Sequence, residues 1–92
     1  MSATLLIVDD EPANLALLRQ VLAAEYPLAF ARSGAEALAA AAKHAPALIL
    51  LDIRMPDMDG YTVCRRLKSD PATAQIPVIF VTGLADVGDE TA

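Results

Sequence analysis

Three apolar runs in this chain end on polar groups that could do chemistry. Asp9-Asp10-Glu11 follows TLLIV, Asp52 follows LILL in the stretch LILLDIRMPDMDG, and Thr82 closes PVIFVT. Carboxylates gathered at one place repel, and each raises its neighbours' pKa. A hard divalent cation relieves the repulsion. Mg2+ suits such a site because it takes one or two carboxylates, keeps several waters and accepts a phosphate oxygen. Asp52, delivered by a rigid apolar segment beside such an ion, has the setting of an acceptor carboxylate.

Plainer roles compete for the same residues. Asp10 could cap a helix that begins near Glu11, and Asp59 one that begins near Gly60, since Asp is a favoured N-cap. Asp57 reads as a turn residue. Asp52 lies several residues ahead of its helix, too early for an ordinary cap. Thr82 could simply end a strand. His44, near a helix C-terminus, reads as a solvated partner of the helix dipole. Cys64 reads as a small apolar residue, and Arg65, Arg66 and Lys68 as a solvated helix face.

Asp9, Asp10 and Asp52 are far apart in the chain, so the elements that carry them must bring them together. Thr4–Val8 reads as a strand. From Glu11 to Glu25, Leu15, Leu18 and Leu22 recur at helical spacing with Val21 flanking, and Pro12 sits where a first turn tolerates it. Leu28–Ala31 is a second strand, with Leu28 and Phe30 on one face. Ser33-Gly34-Ala35-Glu36 matches a capping box and opens an alanine-rich helix that reaches about Lys43 and is broken by Pro46. Ala47–Leu51 is a third strand. Gly60–Ser69 follows as a helix with Tyr61, Cys64 and Leu67 on one side, ended by Asp70-Pro71. Pro77–Thr82 is a fourth strand, and LADVGDETA carries a helix start signal at Asp86.

Strands that are apolar on both faces and alternate with helices imply a parallel sheet covered on each side. Ligands bind such sheets outside the carboxyl ends of the strands, where strand order reverses. If the first and third strands are neighbours there, the three aspartates converge.

Composition narrows the function classes. The 92 residues make one domain, and with 55% hydrophobic and 21% charged residues they describe a soluble globular chain. A net charge of −5 with seven scattered basic residues offers no nucleic-acid surface, since affinity for phosphate backbones comes from Lys and Arg. One cysteine excludes an internal disulfide and a cysteine-based zinc site. No apolar run is long enough for a membrane span, and no signal peptide is visible; the expected location is cytoplasmic.

IVDDEP, LLDIRMPDMDG and PVIFVTG, in this order and spacing, resemble the receiver domain of bacterial two-component response regulators, over all 92 residues. The resemblance implies a flavodoxin-like, doubly wound parallel α/β sheet of strand order 2-1-3-4. It implies that Asp52 accepts a phosphoryl group from a histidine kinase in a Mg2+-dependent reaction. Asp10 would bind the ion directly, Asp9 mainly through water, and the backbone carbonyl of Arg54 would join Asp52 as a further ligand. Thr82 matches the family's switch hydroxyl, and Gly83 keeps side-chain bulk away from the phosphoryl group. Met55-Pro56 and Gly60 match the loop after the acceptor. Such a domain is a signalling module, at most self-phosphorylating and self-dephosphorylating, and in a longer parent chain it would act on an output domain.

The sequence departs from the family at its end. The fifth strand that supplies a lysine to the phosphoryl group, a switch aromatic and the last helix would all lie beyond Ala92. Lys43 and Lys68 sit on other elements and do not substitute. Residues 1–92 therefore read as one receiver domain incomplete at the C-terminus, with a fragment of a longer protein favoured over a naturally short receiver. PVIFVT would then be an exposed apolar edge, the kind that pairs with another strand, so homo-oligomer formation through it, or through the face left uncovered, is expected. Two other function classes compete: a receiver-like interaction module without phosphotransfer, and a Mg2+-dependent phosphatase or hydrolase, which would need an acid/base and a cap that the sequence does not display.

Overall fold

Strands and helices alternate along the chain in the computed structural model, which describes residues 3–81. The elements are β1 (Leu5–Val8), α1 (Pro12–Leu22), β2 (Leu28–Ala31), α2 (Gly34–His44), β3 (Leu48–Asp52), α3 (Gly60–Ser69) and β4 (Val78–Val81). The strands form one parallel sheet in the order β2-β1-β3-β4. The step from β1 to β2 runs one way across the sheet, and the steps to β3 and β4 run the other way. Right-handed crossovers then put α1 on one face and α2 and α3 together on the other, and α2 packs on α3 as well as on β1 and β2. The fold is flavodoxin-like and doubly wound, as the resemblance implied.

Alternation along each strand divides the apolar residues between the two faces. Leu6, Val8, Ile49 and Leu51 are almost fully buried and pack with Ala37 and Ala41 of α2 and Val63 and Leu67 of α3. Leu5 and Ile7 face the other way and are also buried. Small residues on α2 let that helix approach the sheet closely, which explains how a chain poor in aromatics still makes a dense core.

Helix ends follow local chemistry, with several departures from the sequence reading. α1 starts with Pro12 in its first turn, but its N-cap is Glu11 and no side chain caps it, so Asp10 is not a cap. Ser33 caps α2 by accepting the Glu36 N–H at 3.1 Å. The Glu36 carboxylate reaches back to the N–H of Arg32, one residue beyond the usual capping-box partner. α2 stops at Ala45, whose φ of 45° is left-handed, and Pro46 follows this stop. Asp59 caps α3 by accepting the Thr62 N–H at 2.8 Å. The buried face of α3 holds Gly60, Val63 and Leu67, whereas Tyr61 is 51% exposed. The spacing of Tyr61, Cys64 and Leu67 suggested another face; burial follows the i, i+4 pair Val63 and Leu67, with Cys64 packed at its margin. Lys68 lies on the solvated side, yet its ammonium donates to the carbonyls of Ala74 and Ile76, bracing the segment that leads into β4.

Candidate functional site

The site forms where strand order reverses, between β1 and β3. Their register pairs Val8 with Leu51, so the next residues, Asp9 and Asp52, emerge at the same level of the carboxyl edge. Asp10 follows Asp9, and the three residues each offer a carboxylate oxygen within 4.8 Å of one another. Asp9 and Asp52 are buried and Asp10 is half-buried. The convergence expected from the strand ends is therefore present.

Each carboxylate is held differently. Asp9 accepts the N–H of Glu11 at 2.9 Å on one oxygen and the side-chain amide of Asn14 at 3.0 Å on the other. Asn14 is itself buried on the first turns of α1. Asp52 accepts from the backbone N–H groups of Ile53 and Arg54, but these do not offset its surroundings. Burial, followed by the charges of Asp9 and Asp10, pushes its pKa up to about 6. Burial and like charges both disfavour the ionised form of a carboxyl group. An all-oxygen, anionic donor set of this size fits a hard divalent cation of the Mg2+ type.

The loop from β3 to α3 shapes the rim. Arg54 is exposed two residues past Asp52 and, with Asp10, Met55, Pro56, Asp59 and Tyr61, lines an open depression of about 570 Å³ beside the acids. Gly60 donates its N–H to the Ile53 carbonyl at 2.7 Å. A Cβ at Gly60 would collide with the Asp52 carbonyl oxygen and the Ile53 Cα, so only glycine lets α3 begin this close to the end of β3. Asp57 is more than a turn residue: its two oxygens accept the N–H groups of Gly34 and Ala35 at the start of α2. Those bonds, the Gly34 one foremost, hold its carboxyl below the usual carboxylate range. Thr82 and Gly83 lie outside the described residues; the last described residue of β4, Val81, is paired with Asp52.

A larger open groove, about 790 Å³, runs between α3 and β4 along Tyr61, Cys64, Arg65 and Phe80. Its surface is mostly apolar, with the Tyr61 and Phe80 rings 5.0 Å apart, but Arg65, Arg66 and Lys68 also line it and none of the three aspartates does. Neither described lysine of interest reaches the aspartates: Lys43 lies in the last turn of α2, and Lys68 is bound to loop carbonyls. Sequence reasoning missed Asn14 and the role of Asp57. Asn14 left a faint trace, a polar residue beside the apolar stripe of α1. Asp57 left none, since its partners are 23 and 22 residues away. No helix among the described residues is long and apolar enough to cross a membrane.

Comparison with known proteins agrees with this geometry. The family model for the response regulator receiver domain matches residues 5–92. The response regulator PleD of Caulobacter vibrioides is 53% identical over 90 residues, covering 97% of this chain but 20% of PleD. The polar-differentiation response regulator DivK of Brucella ovis is 43% identical over 91 residues, covering 98% of this chain and 74% of DivK. The crystal structure of the N-terminal domain of a response regulator receiver protein from Methanoculleus marisnigri superposes with a TM-score of 0.83 at 36% identity, covering 96% of this chain and 76% of that one. This chain thus spans a fifth of one relative and about three-quarters of the others. With the acidic cluster at the strand-order reversal and a match over nearly its whole length, the chain belongs to the response regulator receiver domain family.

Proposed function

We propose that this domain accepts a phosphoryl group on Asp52 from a histidine kinase, in a Mg2+-dependent reaction, and passes the signal to an output domain. The observation that carries the reading is the convergence of Asp9, Asp10 and Asp52 within 4.8 Å. A purely structural module has no use for three crowded carboxylates, two of them buried, which destabilise the fold unless a cation offsets them. The four-fifths of PleD outside the matched region supports an output domain in a longer parent chain.

The chain's residues divide the work as follows. Asp10 would hold the ion directly, Asp9, oriented by the Glu11 N–H and the Asn14 amide, would act mainly through water, and the Arg54 carbonyl would join Asp52 as a ligand. When bound, Mg2+ supplies the positive charge that offsets three carboxylates and an incoming phosphoryl group. An Asp52 oxygen forms its bond to phosphorus while the bond from phosphorus to the donor's imidazole nitrogen breaks, the electron pair leaving on that nitrogen. Phosphoryl transfer asks mainly for positioning and charge neutralisation, and the rigid end of β3 supplies the first. Thr82 then senses the product by hydrogen bonding to a phosphoryl oxygen, biasing a two-state element. The domain works in the cytoplasm, without nucleic acid or membrane as partners. It is not an enzyme beyond its own phosphorylation and dephosphorylation.

The test is incubation with Mg2+ and a small-molecule phosphodonor, followed by mass spectrometry. An acid-stable, base-labile adduct on Asp52, absent from D52N and from samples with chelator, is expected. The measurement is made on this chain and on one lengthened by the family's fifth strand. Absence of the adduct from both overturns the reading and favours an interaction module instead.

A further inference from the structure

The loop between β3 and α3 is tied down at a point the phosphoryl-accepting reading does not use. Asp57 is an exposed residue, yet both of its oxygens are engaged, with the Gly34 N–H at 3.0 Å and the Ala35 N–H at 3.1 Å. These belong to the first N–H groups of α2, which have no partners within their own helix. α2 already has a local cap, since Ser33 takes the Glu36 N–H and the Ser33 carbonyl takes the Ala37 N–H. What Asp57 adds is a tether from the acceptor loop to a different element. Two donors on two oxygens of one carboxylate fix its orientation better than a single bond would, and the helix dipole favours the charge there.

Neighbouring contacts make the tether specific. Met58 lies so close to Gly34 that an added Cβ would stand 2.8 Å from the Met58 Cβ, and Val63 of α3 closes the other side at 3.1 Å. Beyond it, the Gly60 N–H holds the Ile53 carbonyl. Arg54, Met55 and Pro56 lie between these two attachments, next to Asp52. Met55 packs into the core from this stretch, and the Asp57 contact adds an attachment to α2 just beyond it.

We propose that Asp57 is a positioning residue. By clamping the loop onto the N-terminus of α2, it holds the Arg54 carbonyl and the Asp52 carboxylate in the arrangement that receives the divalent cation. The inference rests on the metal-binding reading given above. By linkage, cation binding and the Asp57 tether favour the same loop conformation, so each strengthens the other. The N-terminus of α2 thereby becomes an element that responds to occupancy of the site.

The experiment is a Mg2+ titration of the full chain by calorimetry, with amide hydrogen exchange at Gly34 and Ala35, on wild type, D57A, D57N, G34A and S33A. D57A should weaken Mg2+ binding about tenfold, in the range seen when supports outside a metal's direct ligands are removed. Exchange at Gly34 and Ala35 should accelerate. D57N keeps one acceptor oxygen and should fall between. G34A displaces Met58 while leaving Asp57 in place and should also weaken binding, so it carries the test if D57A does not fold. S33A removes only the local cap of α2 and should bind Mg2+ as wild type does. Wild-type affinity in both D57A and G34A overturns the tether, as does equal weakening in S33A, which would trace the effect to helix integrity. Wild type is measured first: if it binds no Mg2+, the metal reading itself fails and the tether falls with it.

Discussion

At Asp52 the charge that the proposed acceptor role requires works against burial and the crowding of its neighbours. Its pKa of about 6, against an ordinary value of 3.8, means that the folded, metal-free protein holds this proton more tightly than the unfolded chain does. The stability this group contributes is full below the unfolded value and is lost as pH rises through about 6. Asp57 and Asp59 have lowered values and act in the opposite sense at lower pH, so the comparison must be with D52N. In the absence of metal, D52N should be more stable than wild type above pH 6, with the difference vanishing toward pH 4, as thermal melts across that range would record. Mg2+ should raise the melting temperature of wild type strongly above pH 6 and weakly below it, and D52N little at either. Asn14 permits a second residue-scale test. N14A removes the amide that orients Asp9, and a hydrogen bond to a charged group contributes about 2 kcal/mol. Chemical denaturation should show a loss of that order, together with weaker Mg2+ binding in a calorimetric titration.

Helix ends decide how the elements meet. Ala45 stops α2 in a left-handed conformation, which costs an L-residue with a Cβ about 1 kcal/mol or slightly more. Glycine is the usual residue at such a stop. A45G should therefore stabilise the domain by up to about 1 kcal/mol, reduced by the greater freedom of glycine in the unfolded chain; urea denaturation at fixed pH measures it. A loss of stability in A45G would show that the Ala45 methyl group makes a contact worth more than its strain. Gly60 shows the opposite solution at the start of α3, where a missing side chain lets the helix begin against the end of β3. Asp59 caps that same helix, so neighbouring residues serve the helix and the site separately.

On the scale of the whole molecule, the sheet has an open side among the described residues. β4 is its last strand, and Ile79 and Phe80 are 50% and 38% exposed. An edge with unpaired backbone groups and apolar side chains invites strand addition. For this chain we propose that the partner is β4 of a second copy, since the two edges offer each other the same backbone donors and acceptors. Sedimentation velocity over a concentration series should show monomer passing to dimer, and I79K should shift the balance to monomer by placing a charge on the edge. A monomer at every concentration would exclude self-association through β4.

The sequence by itself determined the alternation of strands and helices, the parallel sheet and the residues that end its strands, because period and turn chemistry are local. Leu28–Ala31 and Gly60–Ser69 appear with the expected bounds, and the other elements shift by only a few residues. The motifs around Asp9, Asp10 and Asp52 were legible for the same reason: each sits at a strand end that periodicity marks. Tertiary structure decided what depends on distance in space. The register of β1 against β3 sets how closely the aspartates approach. The exposed side of Tyr61 depends on which face of α3 meets the core. Asp57 acquires its role from partners 23 and 22 residues away, because a side-chain hydrogen bond of that span exists only once the fold has brought its two ends together, whereas Asn14 meets Asp9 across the short turn from β1 into α1.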